Sequence, residues 1–128
     1  MKNWKYIFGI LLLILFGLII AISQIPNGNL HIIACKVGQG DAILVTYGST
    51  QILTDDGPDK SVLSCLGKYI PFWDRNIELV ISTHPDADHS TDLVEVVKDY
   101  KVGQILINDL DLGTDVYRAL KNAVAMRG

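Results

Sequence analysis

The feature that most constrains this chain is an apolar run near its amino terminus. Residues 7–22 read IFGILLLILFGLIIAI and contain no charged or strongly polar side chain. Together with Tyr6 the run has about 17 residues, the lower end of what a helix rising about 1.5 Å per residue needs to cross a bilayer core of roughly 30 Å. We therefore predict that residues 1–25 are a membrane anchor or signal segment and that residues 26–128 form a separate domain.

The segment fits a retained single-pass anchor better than a cleaved signal peptide. Its apolar core is longer than the roughly 7 to 15 residues usual in signal peptides, and Trp4 lies where interfacial aromatic residues belong. The alternative is cleavage near Ser23, which would release a secreted domain. Lys2 and Lys5 precede the run, and the next basic residue is Lys36. The positive-inside rule then predicts a cytoplasmic amino terminus and an extracytoplasmic domain at the cell membrane.

The part of the chain after residue 25 is acidic. It holds all 14 acidic residues and 9 of the 11 basic ones, which leaves a net charge of −5. This balance excludes a basic surface that binds nucleic acid by charge alone. Its length of about 100 residues allows one modest domain.

The chain has two cysteines, Cys35 in a strand-like run and Cys65 in a helix-like run. An oxidising compartment would permit a disulfide bond between them. We nevertheless favour two separately buried thiols, because free cysteine mostly behaves as a small buried hydrophobic residue.

The hydrophobic pattern of the domain changes along the chain. Apolar and β-branched runs separated by glycine-containing turns predict an antiparallel meander of three strands. Helical spacing then alternates with short apolar runs, so the fold class expected is α/β or α+β. We predict strands at 30–37, 42–47, 51–54, 79–81 and 104–107 and helices at 61–69, 93–97 and 114–126.

The densest group of chemically active side chains follows the strand predicted at 79–81. Four candidate metal ligands stand there within six residues: His84, Asp86, Asp88 and His89. Ligands bind outside the carboxyl ends of strands in α/β sheets, and imidazole and carboxylate groups hold divalent ions at about 2.0 to 2.2 Å. A solvated polar turn would explain the two aspartates but not two of the three histidines of the chain in one short loop. We predict a metal-binding loop.

Four stretches of the chain resemble a known family. They are residues 37–42 (VGQGDA), 52–59 (ILTDDGPD), 69–75 (YIPFWDR) and 82–89 (STHPDADH). With these stretches in this order, the chain resembles the metallo-beta-lactamase fold hydrolases and, among them, the hydrolase domain of the competence protein ComEC, which serves DNA internalisation. The resemblance covers about residues 30–107. It implies the amino-terminal half of an αββα sandwich, here preceded by one transmembrane helix.

The resemblance also implies a role for individual residues. His84 and Asp86 would bind one divalent metal ion, and Asp88 and His89 a second, both ions being Zn or Mn. Asp88 would also be catalytic, because it would orient the metal-activated water. Asp55 matches the acidic residue that ends an early strand and orients the metal loop without binding the metal itself.

The implied function is that of a metal-dependent hydrolase, a phosphodiesterase or nuclease linked to DNA uptake, with the membrane as partner and DNA as substrate. Related loops serve the hydrolysis of β-lactams, thioesters and RNA, so a different substrate is an alternative. The family also takes ligands from segments further along the chain, and no histidine follows His89 here. We therefore expect a truncated copy, and the alternative function is a catalytically inactive, membrane-tethered module that binds metal or a partner.

Other notable residues have structural explanations. Gly38-Gln39-Gly40-Asp41 fits a glycine-containing hairpin loop. His31, outside all four stretches, is expected to be an ordinary surface histidine. Phe72 and Trp73 are expected to be packing residues and not a platform for substrate.

Overall fold

The computed structural model describes residues 3–38, 40–55, 57, 60–83 and 90–107, together with 118, 122 and 125. It begins with the predicted apolar helix, α1, which spans Trp4–Ser23 and has 20 residues. None of the residues of α1 is buried. The helix is long and apolar enough to cross a membrane, since 20 residues at about 1.5 Å each match a bilayer core of roughly 30 Å.

The domain after α1 has an α+β fold with one mixed sheet of five strands. Its elements are β1 Leu30–Ala34, β2 Ile43–Tyr47, β3 Thr50–Thr54, α2 Ser61–Tyr69, β4 Asn76–Ser82, α3 Ser90–Asp99 and β5 Lys101–Ile107. The strands are neighbours in the order β1-β2-β3-β4-β5. The first three strands form the predicted antiparallel meander. Strands β3, β4 and β5 are parallel neighbours, and α2 and α3 supply the crossovers that parallel pairing requires.

The hydrophobic core lies between the two crossover helices and one face of the sheet. In α2 the buried residues Val62, Cys65 and Leu66 follow helical spacing, which places them on one side of the helix. Helix α3 likewise buries Val96 and Val97. A row of residues in register across all five strands meets these helices: Ile33, Leu44, Leu53, Val80 and Ile105.

The opposite face of the sheet is also apolar, and no described element covers it. On this face the residues paired across β1 to β4 are Ile32, Val45, Ile52 and Leu79. Ile32 is 71% exposed. Parallel strands usually have cover on both faces, whereas the described residues provide one sheet with helices on one side. The second layer of the expected sandwich is not among them. We call this surface the open sheet face; its most exposed side chains are Leu30, Ile32, Tyr47 and Leu106.

A disulfide bond joins Cys35, just after β1, to Cys65 in α2, with the two Cα atoms 5.7 Å apart. The prediction of two separate thiols is therefore wrong. Both residues are buried, as expected, but the crossover from β3 places α2 next to the end of β1. The chain thus brings the two sulfur atoms together across a separation of 30 residues.

The helix predicted at 114–126 falls almost entirely outside the described residues, of which only Arg118, Asn122 and Ala125 belong to it. The helix predicted at 61–69 is confirmed with the same ends, and the other predicted helices and strands are confirmed with shifted ends. For example, β4 begins at Asn76 and not at Leu79. Strand β1 ends at Ala34 and not at Val37.

Candidate functional site

The candidate site lies at the edge of the sheet where β3 and β4 end. These strands are parallel, and Thr54 pairs with Ile81, so their carboxyl ends meet at one edge. The backbone N–H of Asp55 donates to the carbonyl oxygen of Ile81 at 2.8 Å, which extends the pairing by one residue. Thr83 lies two residues after Ile81, just past the end of β4 and directly before residues 84–89.

The carboxylate of Asp55 binds Thr83 through both of its oxygen atoms. The backbone N–H of Thr83 donates to Oδ1 of Asp55 at 2.7 Å, and the Thr83 hydroxyl donates to Oδ2 at 2.8 Å. Hydrogen bonds to an ionised carboxylate are roughly twice as strong as neutral ones. We call this pair of bonds the Asp55–Thr83 clamp. It fixes the point at which the loop 84–89 leaves the sheet.

The backbone of Asp55 has an unusual conformation. Its φ angle is +54°, and it is the only residue other than glycine with a positive φ among the described residues. Aspartate tolerates the left-handed region better than most residues because its short polar side chain can form local hydrogen bonds. Here the carboxylate instead bonds to a distant segment, so the turn after β3 aims the side chain of Asp55 at the root of the loop.

A glycine contact joins this edge to the segment after β1. Gly57 has a φ of +69°, and a Cβ atom placed on it would lie 2.5 Å from Cβ of the buried residue Val37. The stretches 37–42 and 52–59 therefore touch, and the clamp links the second of them to 82–89. The described residues of three of the four stretches therefore meet at one edge of the sheet. The fourth, 69–75, leads into the other end of β4.

We predict that Gly57→Ala destabilises the domain more than Gly48→Ala. Both glycines have positive φ, +69° and +58°, but a Cβ on Gly48 would meet nothing within 4 Å. The shared backbone cost is about 1 to 2 kcal/mol, and the clash with Val37 should add about 1 to 3 kcal/mol in Gly57→Ala. Urea unfolding of the full chain in detergent, followed by circular dichroism, measures both. Equal losses in the two variants would show that the contact of Gly57 with Val37 has no energetic weight.

The four predicted metal ligands lie outside the described residues: His84, Asp86, Asp88 and His89. Within the described part of the chain, no group of three or more histidine, cysteine, aspartate or glutamate side chains is arranged to hold a metal ion. The described residues do bound the loop on both sides, because Thr83 follows β4 and α3 begins at Ser90. Residues 84–89 thus follow a strand and precede a helix in the chain, and both of these elements were predicted.

Charged side chains join the two crossover helices beside this edge. Lys60, directly before α2, lies 3.5 Å from Glu95 of α3. A hydrogen bond from Lys98 to Glu95 is the main cause that lowers the pKa of the Glu95 carboxyl, and the charge of Lys60 acts in the same direction. Glu95 is therefore ionised at neutral pH and is unsuited to donate a proton in catalysis.

A buried polar network that the sequence did not indicate lies at the opposite end of the parallel strands. Gln51 is 1% exposed; its backbone N–H donates to Oε2 of Glu78 at 2.7 Å, and its Nε2 donates to Oδ2 of Asp74 at 3.0 Å. Since this network joins the starts of β3 and β4, it holds the sheet together and takes no part in the candidate site. His31 is exposed and hydrogen-bonds to Asn27, as expected for a surface histidine.

Comparison with known proteins does not assign the chain to a family. No family model matches it, and no curated protein matches it significantly. The description that the structure supports is therefore an α+β domain with a mixed five-stranded sheet, preceded by an apolar helix.

Proposed function

We propose that this chain is a membrane-anchored part of a metal-dependent hydrolase of the metallo-beta-lactamase type, with 84–89 as its metal-binding loop. The observation that carries the proposal is the Asp55–Thr83 clamp. The resemblance assigns Asp55 the task of orienting the metal loop, and its carboxylate binds the residue at which that loop starts.

The geometry of the clamp favours this role over that of an ordinary turn. A turn aspartate typically bonds to the backbone about two residues further along. The partner of Asp55 is 28 residues away and lies on the neighbouring strand's extension. A hydrogen bond between residues so far apart in the chain lets one segment position another. Groups that orient metal ligands are typically hydrogen-bonded in this way.

The donor set of the loop fits divalent metal ions. In the proposed site His84 and Asp86 would hold one ion, and Asp88 and His89 would hold the other. Divalent ions bound there would supply a water whose pKa is lowered to about 7 and would stabilise charge on the attacked group. Asp88 would orient that water, and Asp55 would keep the base of the loop in place. Mixed imidazole and carboxylate ligands suit both Zn and Mn.

The proposed substrate is a phosphodiester, with DNA taken up by the cell as its source. This assignment rests on the four stretches that resemble the hydrolase domain of ComEC, because the acidic domain gives DNA no electrostatic advantage. Further ligands of a complete site would come from outside the described residues.

We also propose that α1 is a retained, single-pass anchor in the cell membrane and that the domain is extracytoplasmic. Lys2 and Lys5 on the amino-terminal side of the helix support this orientation. The Cys35–Cys65 disulfide supports it independently, because disulfide bonds persist in oxidising compartments and are rare in the cytosol.

The experiment that tests the function compares bound metal and hydrolysis in two variants of the predicted metal ligands and in a surface histidine variant as the control. The full chain is purified in lipid nanodiscs, bound Zn and Mn are measured by mass spectrometry, and hydrolysis of bis(p-nitrophenyl) phosphate and of single-stranded DNA is followed. We expect His84→Ala and Asp86→Ala to lose metal binding and His31→Ala, on the surface, to keep it. Unchanged metal content in both loop variants would contradict the proposal.

A second candidate function is supported by the open sheet face. Exposed apolar patches of this kind mark surfaces that bind other proteins, and the face includes Ile32 and Tyr47, both largely exposed. In this alternative the chain is a membrane-tethered module that binds metal or a partner and does not catalyse hydrolysis. Stoichiometric metal without hydrolysis in the same experiment would favour it.

A further inference from the structure

The turn between α2 and β4 presents large aromatic side chains to solvent. Phe72 and Trp73 were expected to be packing residues, yet they are 60% and 47% exposed, and Tyr69 at the end of α2 is 45% exposed. Phe72 and Trp73 pack on each other edge to face, with ring centroids 4.9 Å apart. The pair therefore forms a single exposed apolar unit outside the core.

This turn lies next to the end of α1. The backbone N–H of Phe72 donates to Oε1 of Gln24 at 3.1 Å, and Gln24 is the first residue after α1. The neighbouring Ile25 is 61% exposed. Residues on both sides, Ile25 and Tyr69 among them, also line one cavity of about 230 Å³. If α1 crosses a bilayer, the aromatic turn is thus tied to the point at which the chain leaves it.

Hydrogen bonds to Asp74 and Arg75 hold this turn to the sheet. Oδ1 of Asp74 accepts a hydrogen bond from the backbone N–H of Asn76 at 3.1 Å, and Oδ2 accepts one from the buried side chain of Gln51 at 3.0 Å. The carbonyl oxygen of Arg75 accepts a bond from the backbone N–H of Lys101 at the start of β5. The aromatic side chains therefore project from a fixed base formed by the amino-terminal ends of the parallel strands.

We propose that Ile25, Tyr69, Phe72 and Trp73 form an aromatic patch that enters the interfacial region of the bilayer in which α1 is anchored. The inference rests on the membrane anchoring in the proposed function and goes beyond it, because it seats the folded domain itself on the lipid. Tryptophan and tyrosine are enriched at this depth of membranes. Lys68, whose Nζ lies 5.1 Å from the centroid of the Tyr69 ring, adds a positive charge for anionic headgroups.

Contact of the patch with the bilayer determines how the candidate site is oriented relative to the membrane. The patch is at the amino-terminal ends of the parallel strands, whereas the Asp55–Thr83 clamp is at their carboxyl ends. Strand β4 has seven residues, and at about 3.3 Å per residue it separates the two by about 20 Å. The loop 84–89 then starts on the side of the domain that faces away from the lipid, where a polymeric substrate outside the membrane can reach it.

The test uses the two tryptophans of the chain as separate depth probes. The full chain is placed in phosphatidylcholine vesicles as Trp4→Phe, in which Trp73 alone emits, and as Trp73→Phe, in which Trp4 alone emits. The acyl chains of the lipid carry bromine near the headgroup. Interfacial groups reach roughly 5 to 10 Å into the headgroup boundary, so we expect bromine to lower Trp73 emission by a factor of about two or more, with a shift to shorter wavelength. Adding Phe72→Ser should weaken this quenching, whereas adding Tyr47→Ser, on the open sheet face, should not.

The other outcomes separate the patch from the anchor. Trp73 emission that aqueous iodide quenches and lipid bromine does not would overturn the patch, provided that Trp4 is quenched by bromine. Shielding of Trp73 from both quenchers would also overturn it and would indicate a protein cover such as a second copy of the chain. If Trp4 also escapes quenching by bromine, α1 is not in the membrane, and the anchoring in the proposed function fails with it.

Discussion

Replacing Asp55 with glycine should lower the affinity of the chain for Zn or Mn about 10- to 100-fold, the usual effect of removing a group that orients metal ligands. Glycine adopts the φ of +54° at this position without strain. The variant therefore removes the carboxylate that binds Thr83 without straining the backbone of the turn. The loop 84–89 then loses its fixed starting point.

Three further variants distinguish a role in positioning the loop from a general loss of stability. Asp55→Asn keeps an oxygen that can accept the N–H of Thr83, so its metal affinity should lie between those of the wild type and Asp55→Gly. Thr83→Ser keeps both hydrogen-bond donors and should bind metal as tightly as the wild type. Thr83→Val loses the hydroxyl bond of 2.8 Å to Asp55 and should bind metal less tightly. Competition with a zinc-binding dye measures affinity on the full chain in nanodiscs, and circular dichroism checks folding. Wild-type affinity in a folded Asp55→Gly variant would remove the basis of the proposed function.

Opening the Cys35–Cys65 disulfide should cost about 3 to 4 kcal/mol of unfolding free energy, from the loop-closure entropy of a bond that spans 30 residues. We expect dithiothreitol to lower the urea midpoint of the wild type. The double variant Cys35→Ala, Cys65→Ala should unfold at a low midpoint that dithiothreitol does not change. Equal midpoints for the wild type with and without reductant would contradict this prediction.

Local patterns in the sequence were sufficient for the element order, because each strand and helix in the core repeats apolar residues with its own period. They placed the start of β4 too late. Asn76 and Glu78 are polar, so no apolar run marks the beginning of that strand. The carboxylate of Glu78 instead accepts a hydrogen bond from the backbone of Gln51, 27 residues earlier. Such a partner depends on the assembled sheet and leaves no periodic signal.

In the candidate site, too, some features could be predicted from the sequence, and others depend on the assembled fold. The contact of Asp55 with the segment after β4 agrees with the position that the resemblance gives it, directly after a strand. Its role toward a metal ion stays a prediction. The cysteine pairing could not be predicted, since it depends on the path of the crossover that brings α2 beside β1. The exposure of Phe72 and Trp73 was missed for a related reason. The local sequence does not show that their turn lies beside the end of α1, and without that contact two aromatic residues after a proline are expected to pack in the core.

The covalent link between β1 and α2 has a consequence for the time and place at which the domain matures. Its two sulfur atoms are separated along the chain by β2, β3 and Asp55. If the domain is exported as proposed, the bond can close only after this whole stretch has crossed the membrane and met an oxidant. A copy retained in the cytosol would keep the residues of the candidate site but lack this bond, so export would raise the stability of the domain.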